Sequence, residues 1–151
     1  MEDLAFDWDF PHPFALDRVI TPSDMDELNH TNNIVYVNWC QEAAWAHSEK
    51  LGLGIDTYRE LDRAMVVIQS EFQYLKPSKS RDEIKIGTWL VSWDKKLSMT
   101  RKFQIIRTDG TTLFRGTMIF ACIQISSGKP RRLPREFFDG YGLAIVDKTR
   151  Q

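Results

Sequence analysis

The sequence has few cysteines: Cys40 and Cys122 are the only two among 151 residues. Two cysteines supply no disulfide framework, and their wide separation does not match the ligand spacing of a metal site. We therefore expect the fold to depend on a hydrophobic core and to need no metal or redox cofactor. The composition, 42% hydrophobic and 27% charged, is typical of a globular chain.

Long hydrophobic runs and an excess of one charge are also lacking. The longest apolar stretch covers residues 117–125, far short of the roughly 20 residues that a membrane-spanning helix needs. Twenty Lys and Arg against 21 Asp and Glu give a net charge of −1, so there is no basic field to hold nucleic acid. The acidic N-terminus lacks the basic segment of a signal peptide. Together these absences predict a cytoplasmic protein that binds neither nucleic acid nor membrane.

Several common catalytic motifs are missing as well. The sequence contains no G-x-S-x-G, no phosphate-binding P-loop and no H-E-x-x-H. Gly52 and Gly54 begin a dinucleotide-binding pattern, but Thr57 replaces its third glycine. Because this pair follows a predicted helix and not a strand, we interpret it as the end of that helix.

The first 13 residues differ from the rest of the chain. Pro11 and Pro13 prevent regular helix or sheet there, so we expect an irregular N-terminal arm over residues 1–13. Its aromatic residues indicate that the arm packs on another surface. No repeat, low-complexity tract or linker follows, which predicts a single domain over residues 14–151.

Alternating apolar residues predict five strands, at residues 14–21, 64–76, 83–93, 97–107 and 111–125. Asp109-Gly110, between the last two, is a strong signal for a hairpin turn. Residues 34–51 contain neither Pro nor Gly and are apolar on nearly every side for three turns, which predicts a long buried helix. We expect four of its residues to lie inside the sheet: Val37, Trp39, Cys40 and Ala44. This order of elements predicts an α+β fold in which one antiparallel sheet curls around one buried helix.

The segment that precedes the predicted helix is almost wholly polar and contains Asp24, Asp26 and His30. Free amide groups and the helix dipole at such a helix start favour a developing oxyanion. A carboxylate beside it could activate water or attack a carbonyl. The alternative is structural: the two aspartates shape a turn, and Thr31 or Asn32 caps the helix.

A pattern in this segment, D-x-D-x-x-x-H-x-N-N-x-x-Y, resembles the signature of the hot-dog-fold acyl thioesterases. It is made by Asp24, Asp26, His30, Asn32, Asn33 and Tyr36. The similarity is to the 4-hydroxybenzoyl-CoA thioesterase-like group and also to plant acyl-carrier-protein thioesterases. Tyr74-Leu75-Lys76-Pro77, followed by Asp82-Glu83, resembles the exit of the second strand and the entry of the third. The resemblance runs from about Phe14 to Pro134 and implies the hot-dog fold.

The resemblance also implies a function, the hydrolysis of an acyl-CoA or acyl-carrier-protein thioester without a cofactor. Asp26 would be the nucleophile or general base, and a backbone N–H at or next to Asn33 would hold the oxyanion. His30 would belong to the catalytic set, and Tyr36 would bind substrate or orient the loop. Asn29 stands where many members have Gly, and we expect it to keep the turn because Asn tolerates a left-handed backbone. A homodimer or homotetramer is implied, with the site between protomers.

The nucleotide end of coenzyme A needs basic partners, and Lys95, Lys96, Arg101 and Lys102 surround one predicted hairpin. We expect the first three to contact its phosphates, with an ordinary solvated hairpin as the alternative. Two other functions stay open: a hot-dog dehydratase or hydratase using Asp26 and His30 as an acid–base pair, and a non-catalytic acyl-ligand-binding oligomer.

Overall fold

Five strands form one antiparallel sheet in the computed structural model, which describes residues 6–146. They are β1 (Phe14–Val19), β2 (Arg63–Tyr74), β3 (Glu83–Trp93), β4 (Ser98–Arg107) and β5 (Thr112–Gln124). Their spatial order is β1-β3-β4-β5-β2, and every pairing is antiparallel. All five strands were predicted to within a few residues, and Gly110 has the positive φ of +94° that the predicted hairpin turn requires. Residues 1–5 of the predicted arm and 147–151 of the predicted domain lie outside the described residues.

In the described part of the chain, three α-helices accompany the sheet: α1 (Asn33–Lys50), α2 (Ile55–Leu61) and α3 (Arg135–Ala144). The long helix was predicted, and it ends as expected at Gly52, whose φ is +80°. The two shorter helices were not predicted. They close one end of the sheet around a second buried cluster that contains Tyr58, Phe137 and Tyr141. Within residues 6–146, no helix has the length and apolar character needed to cross a lipid bilayer.

α1 lies on the concave face of the sheet and buries Trp39, Cys40 and Ala43 against it. The sheet curls around this helix as predicted, but of the four α1 residues expected inside the sheet only Trp39 and Cys40 are buried. Val37 and Ala44 are only half-buried, and Ile34 and Trp45 are 67% and 40% exposed. Part of the apolar surface of α1 therefore stays uncovered in the single chain.

Residues 6–13 form the irregular arm and cross the outer face of the sheet, opposite α1. The rings of Trp8 and Phe10 lie 5.7 and 5.3 Å from the ring of Trp89. A Cβ atom at Gly87 would lie 2.4 Å from the Trp8 ring. The close approach of the arm therefore requires glycine at position 87.

Polar contacts also hold the arm on the sheet. The backbone N–H of Asp9 donates to Gln104 Oε1 at 2.8 Å, and Gln104 Nε2 donates to the carbonyl of Asp7 at 3.2 Å. The guanidinium of Arg115 makes two hydrogen bonds to the Asp9 carboxylate, at 2.7 and 3.0 Å. Aromatic packing and a bidentate ion pair thus fix the same short segment.

Candidate active site

Asp26 shapes the turn that leads to α1. Its Oδ1 atom accepts hydrogen bonds from the backbone N–H groups of Leu28 (2.8 Å) and His30 (3.2 Å). Its own N–H donates to the carbonyl of His30 at 2.8 Å. Asn29 has a φ of +59°, the left-handed backbone expected of it, so the turn keeps its form without glycine. One carboxylate oxygen is therefore held by the loop.

Asp24 has a different set of contacts. Its Oδ2 atom accepts hydrogen bonds from the backbone N–H and the hydroxyl of Thr21, at 2.9 and 3.1 Å. Its carbonyl accepts the N–H of Asn32 at 2.8 Å. Both contacts lie within the turn and agree with a structural role for Asp24.

The backbone amides at the start of α1 differ in their hydrogen bonding. Asn32 is the N-cap, and its side-chain oxygen accepts the N–H of Ile34 at 3.0 Å, while its carbonyl accepts the N–H of Val35 at 3.0 Å. The N–H of Asn33 makes no hydrogen bond within residues 6–146. A free amide at the positive end of a helix dipole is suited to an oxygen that gains negative charge.

A cavity of about 300 Å³ brings four of the predicted site residues together. It is lined by Asp26, Leu28, His30, Thr31, Asn33, Tyr36, Tyr74, Leu75, Lys76 and Pro77. The loop before α1 supplies one wall, and the end of β2 with the segment after it supplies the other. Asp26, His30 and Asn33 therefore border one space.

Ser78 anchors this wall, and sequence reasoning missed it. Its hydroxyl is 2.7 Å from the Thr31 hydroxyl and 2.6 Å from the Tyr36 hydroxyl, and its carbonyl accepts the Thr31 N–H at 2.8 Å. The Tyr36 ring stacks on Phe114. These contacts tie the Asp26 loop to the β2–β3 connection. No motif marks Ser78, because its partners lie more than 40 positions away in the sequence.

The basic residues predicted to bind coenzyme A lie elsewhere and do not lie together. Lys95 and Lys96 are exposed in the β3–β4 turn, whereas Arg101 is 1% exposed beneath α1. Arg101 belongs to the inner face of β4, the face of Phe103 and Ile105, so burial separates it from the exposed lysines.

Glu71 is another carboxylate that could take the role of Asp26 if Asp26 proved dispensable, and it is exposed on β2. It lines a separate cavity with Lys102 and Arg115 on the outer face of the sheet. It does not line the cavity of Asp26.

The described residues offer no obvious metal centre: between positions 6 and 146 no group of three or more His, Cys, Asp or Glu side chains could hold an ion. Cys40 and Cys122 are buried, and burial raises the pKa of both thiols. They remain protonated at neutral pH and are poor nucleophiles.

Solved structures with similar folds include thioesterases and a protein solved in complex with CoA. A hypothetical Staphylococcus aureus protein, solved in complex with CoA, gives a TM-score of 0.81 at 15% identity over 92% of this chain and 89% of that chain. The 1,4-dihydroxy-2-naphthoyl-CoA thioesterase of Synechocystis gives 0.77 at 15% identity, over 87% and 96%. The 12:0-ACP thioesterase of Umbellularia californica gives 0.79 at 19% identity, over 89% and 54%. The fold is therefore the predicted hot-dog fold.

Residues 20–140 match the model of the thioesterase-like superfamily, and the chain belongs to this superfamily. Among curated proteins it is similar to Protein THEM6 of Danio rerio, with 31% identity over 87 residues. This match covers 58% of the chain and 43% of that relative. The chain thus spans less than half the length of this relative.

Proposed function

We propose that the chain hydrolyses an acyl thioester to a free acid and a thiol. One observation carries this proposal: Asp26 and Asn33, whose N–H makes no hydrogen bond within residues 6–146, line the same cavity. Hydrolysis needs a group that delivers a nucleophile and a donor that stabilises the oxyanion. Membership of the thioesterase-like superfamily supports the assignment.

In the proposed reaction, the thioester carbonyl oxygen accepts the N–H of Asn33. Asp26 either removes a proton from a water molecule that attacks the carbonyl carbon, or attacks this carbon itself to give an acyl–Asp26 anhydride that a water molecule then hydrolyses to the free acid. Negative charge then develops on the oxygen beside the helix start, where the dipole stabilises it. The carbon–sulfur bond breaks as this oxyanion collapses, and the thiolate takes a proton as it leaves. His30, which lines the same cavity, is the group we assign to proton transfer with Asp26.

The exposed edge of the sheet supports a homodimer in which the β2 strands of two copies lie side by side. This edge strand is exposed, with Val67 and Ile68 at 38% and 62% exposure, and Ile34 and Trp45 of α1 lie open as well. A second copy would cover these apolar groups and the unpaired strand edge. The predicted cytoplasmic location stays a prediction.

Such a dimer supports a role for Lys95 and Lys96 in binding coenzyme A. Within one chain their turn and the start of α1 lie at opposite ends of the sheet. Antiparallel pairing of two β2 edges would bring the turn of one protomer to the end that carries the other protomer's cavity. Charge reversal of both lysines should raise KM for acyl-CoA with little change in kcat. Unchanged KM would remove them from the site.

A dehydratase or hydratase is the second candidate, because Asp26 and His30 line one cavity and could act as an acid–base pair. It would change the acyl chain and leave the thioester intact. A non-catalytic acyl-binding oligomer would do neither.

One assay separates the three functions. Acyl-CoA and acyl-carrier-protein thioesters with aryl, branched and straight chains are incubated with the protein. A thiol-detecting reagent reports hydrolysis, and mass spectrometry of the remaining thioester reports a changed chain. We expect thiol release from at least one substrate. A changed chain without thiol release would establish the second candidate, and neither signal across the panel would contradict catalysis.

A further inference from the structure

Arg101 is a buried cation without a counter-ion. Its side chain is 1% exposed, and both of its hydrogen bonds are made by Nη1, to His47 Nδ1 at 2.9 Å and to Thr88 Oγ1 at 3.2 Å. Its Nε is buried and has no hydrogen-bond partner. Across positions 6–146, no carboxylate forms an ion pair with it.

Neighbouring groups do not neutralise this charge. Burial lowers the pKa of Arg101 to about 10, so the guanidinium stays charged at neutral pH. Burial and the nearby Arg101 and Lys50 charges lower the pKa of His47 to about 4, so this imidazole is neutral. Burial also raises the pKa of Tyr58 and Tyr141, whose hydroxyls therefore stay uncharged. A desolvated charge without a counter-ion lowers the stability of a folded protein.

The same arginine lines a pocket of about 290 Å³ between α1 and the β2–β5–β4 side of the sheet. Most of the other lining is apolar, including Ala44, Trp45, Met65, Val67, Met99 and Phe120. No carboxylate lines it. Trp45 and Val67 are 40% and 38% exposed, so within one chain the pocket opens towards the β2 edge, and in the proposed dimer this opening lies at the interface between the two copies. Its size lies at the small end of the range for ligand sites.

We propose that this pocket binds a carboxylate carried on an apolar chain. The carboxylate would accept hydrogen bonds from the unpartnered side of the Arg101 guanidinium, and the chain would lie along Met65, Met99 and Phe120. A single guanidinium in apolar walls matches one negative charge with an apolar tail. Two sources share this chemistry: a free fatty acid, and an acyl group whose far end is a carboxylate.

The pocket is separate from the cavity of Asp26. The two share no lining residue, and Ala44 lies about three turns after Asn33 on α1, roughly 16 Å along the axis. The proposal therefore goes beyond thioester hydrolysis, and a binding measurement tests it whether or not hydrolysis occurs.

Calorimetric titration with decanoate tests the proposal, with decan-1-ol as the matched neutral ligand. The parent should bind decanoate with one site per chain, and Arg101→Met should weaken binding by roughly 10- to 100-fold, the effect of losing one charged hydrogen-bond donor. Binding of the alcohol should not change. Arg101→Lys should keep part of the affinity because it keeps the charge. Arg115→Met, on the outer face, is the matched control and should bind decanoate like the parent.

Ala44→Leu provides a second test because it fills the pocket and leaves the arginine in place. It should also weaken decanoate binding, and decanoate should raise the Tm of the parent more than that of either pocket variant. Decanedioic acid monoamide distinguishes the two sources: tighter binding than decanoate indicates an acyl group that ends in a carboxylate, and weaker binding indicates a free fatty acid. The proposal is overturned if the parent binds no decanoate at about 1 mM, or if folded Arg101→Met and Ala44→Leu bind it as the parent does.

Discussion

Replacing Asp26 by asparagine should separate its chemical role from its structural one. Oδ1 of Asp26 accepts two backbone N–H groups, at 2.8 and 3.2 Å. The amide oxygen of asparagine can accept the same two, so the turn should persist, with a change in the free energy of unfolding of about 1 kcal/mol or less. The substitution removes the negative charge and the proton acceptor from the cavity.

The expected loss of activity is much larger than the loss of stability. Removing a positioned proton-transfer group lowers rates by roughly 10²–10⁴-fold, which corresponds to about 3–5 kcal/mol of transition-state stabilisation. We therefore expect kcat of Asp26→Asn to fall by this factor on the best thioester of the panel, measured by thiol release. Circular dichroism and urea unfolding should match the parent.

Asp24→Asn is the matched control, because the same chemical change is made two residues away. Its carboxylate contacts Thr21 within the turn, so the variant should stay within about tenfold of the parent kcat. His30→Ala should fall between the two variants if His30 orients the loop, and should match Asp26→Asn if it shares the chemistry. Turnover at the parent rate by a folded Asp26→Asn that binds substrate would refute the mechanism.

Three further predictions concern assembly, packing and pH. Ile68→Lys should give a monomer by light scattering, because it places a charge on the exposed β2 edge. Val19→Lys, which places the same charge on the β1 edge, should stay dimeric. If both variants are dimers, the dimer does not form along β2. Gly87→Ala should lower the free energy of unfolding in urea by about 1–3 kcal/mol, because the added methyl group forces the Trp8 ring away. In a Trp8→Ala background the same change should leave the free energy of unfolding unchanged. Equal losses in the two backgrounds would show that Trp8 and the added methyl group do not clash. Partial burial acts to raise the pKa of Asp94, but hydrogen bonds from three following backbone N–H groups outweigh it and hold the pKa at about 2. The stabilisation by these hydrogen bonds is present above the unfolded pKa of about 3.9 and is lost as the pH falls towards 2. The parent should therefore lose more stability on acidification than Asp94→Asn, and parallel curves of unfolding free energy against pH would refute this.

Local patterns in the sequence explain most of the fold. Alternation placed all five strands, and Asp109-Gly110 placed their tightest turn. The helix α3 escaped because Gly140 and Gly142 lie within it, and glycine disfavours helices. The structure explains both glycines: added Cβ atoms would lie 2.7 Å from Leu53 and 2.7 Å from Trp93. Tertiary packing therefore overrides local propensity in α3.

The candidate site divides in the same way. Asp26, His30 and Asn33 lie within eight positions of one another in the sequence, so a turn followed by a helix suffices to predict that they meet. Ser78 completes the wall from a distant segment and has no local signal. Arg101 did have one: its spacing from Phe103 assigns it to the inner face of β4. Arg101 stands at a position of β4 where the alternation calls for an apolar residue, and this position indicates that its side chain is buried. Its closeness to Lys95 in the sequence does not.

The arm of residues 6–13 binds the outer face of the sheet in the way that a covalently attached peptide ligand would. Since the arm is covalently attached, it meets the outer face at a high effective concentration and loses little translational entropy on docking. Its contacts, two aromatic rings on Trp89 and one bidentate ion pair with Arg115, form a compact recognition motif. A chain shortened before Phe14 would therefore leave a vacant groove on the outer face, and a synthetic peptide of residues 6–13 could fill it from solution. The outer face is thus a surface that an external peptide could bind, on the side of the sheet away from the candidate active site.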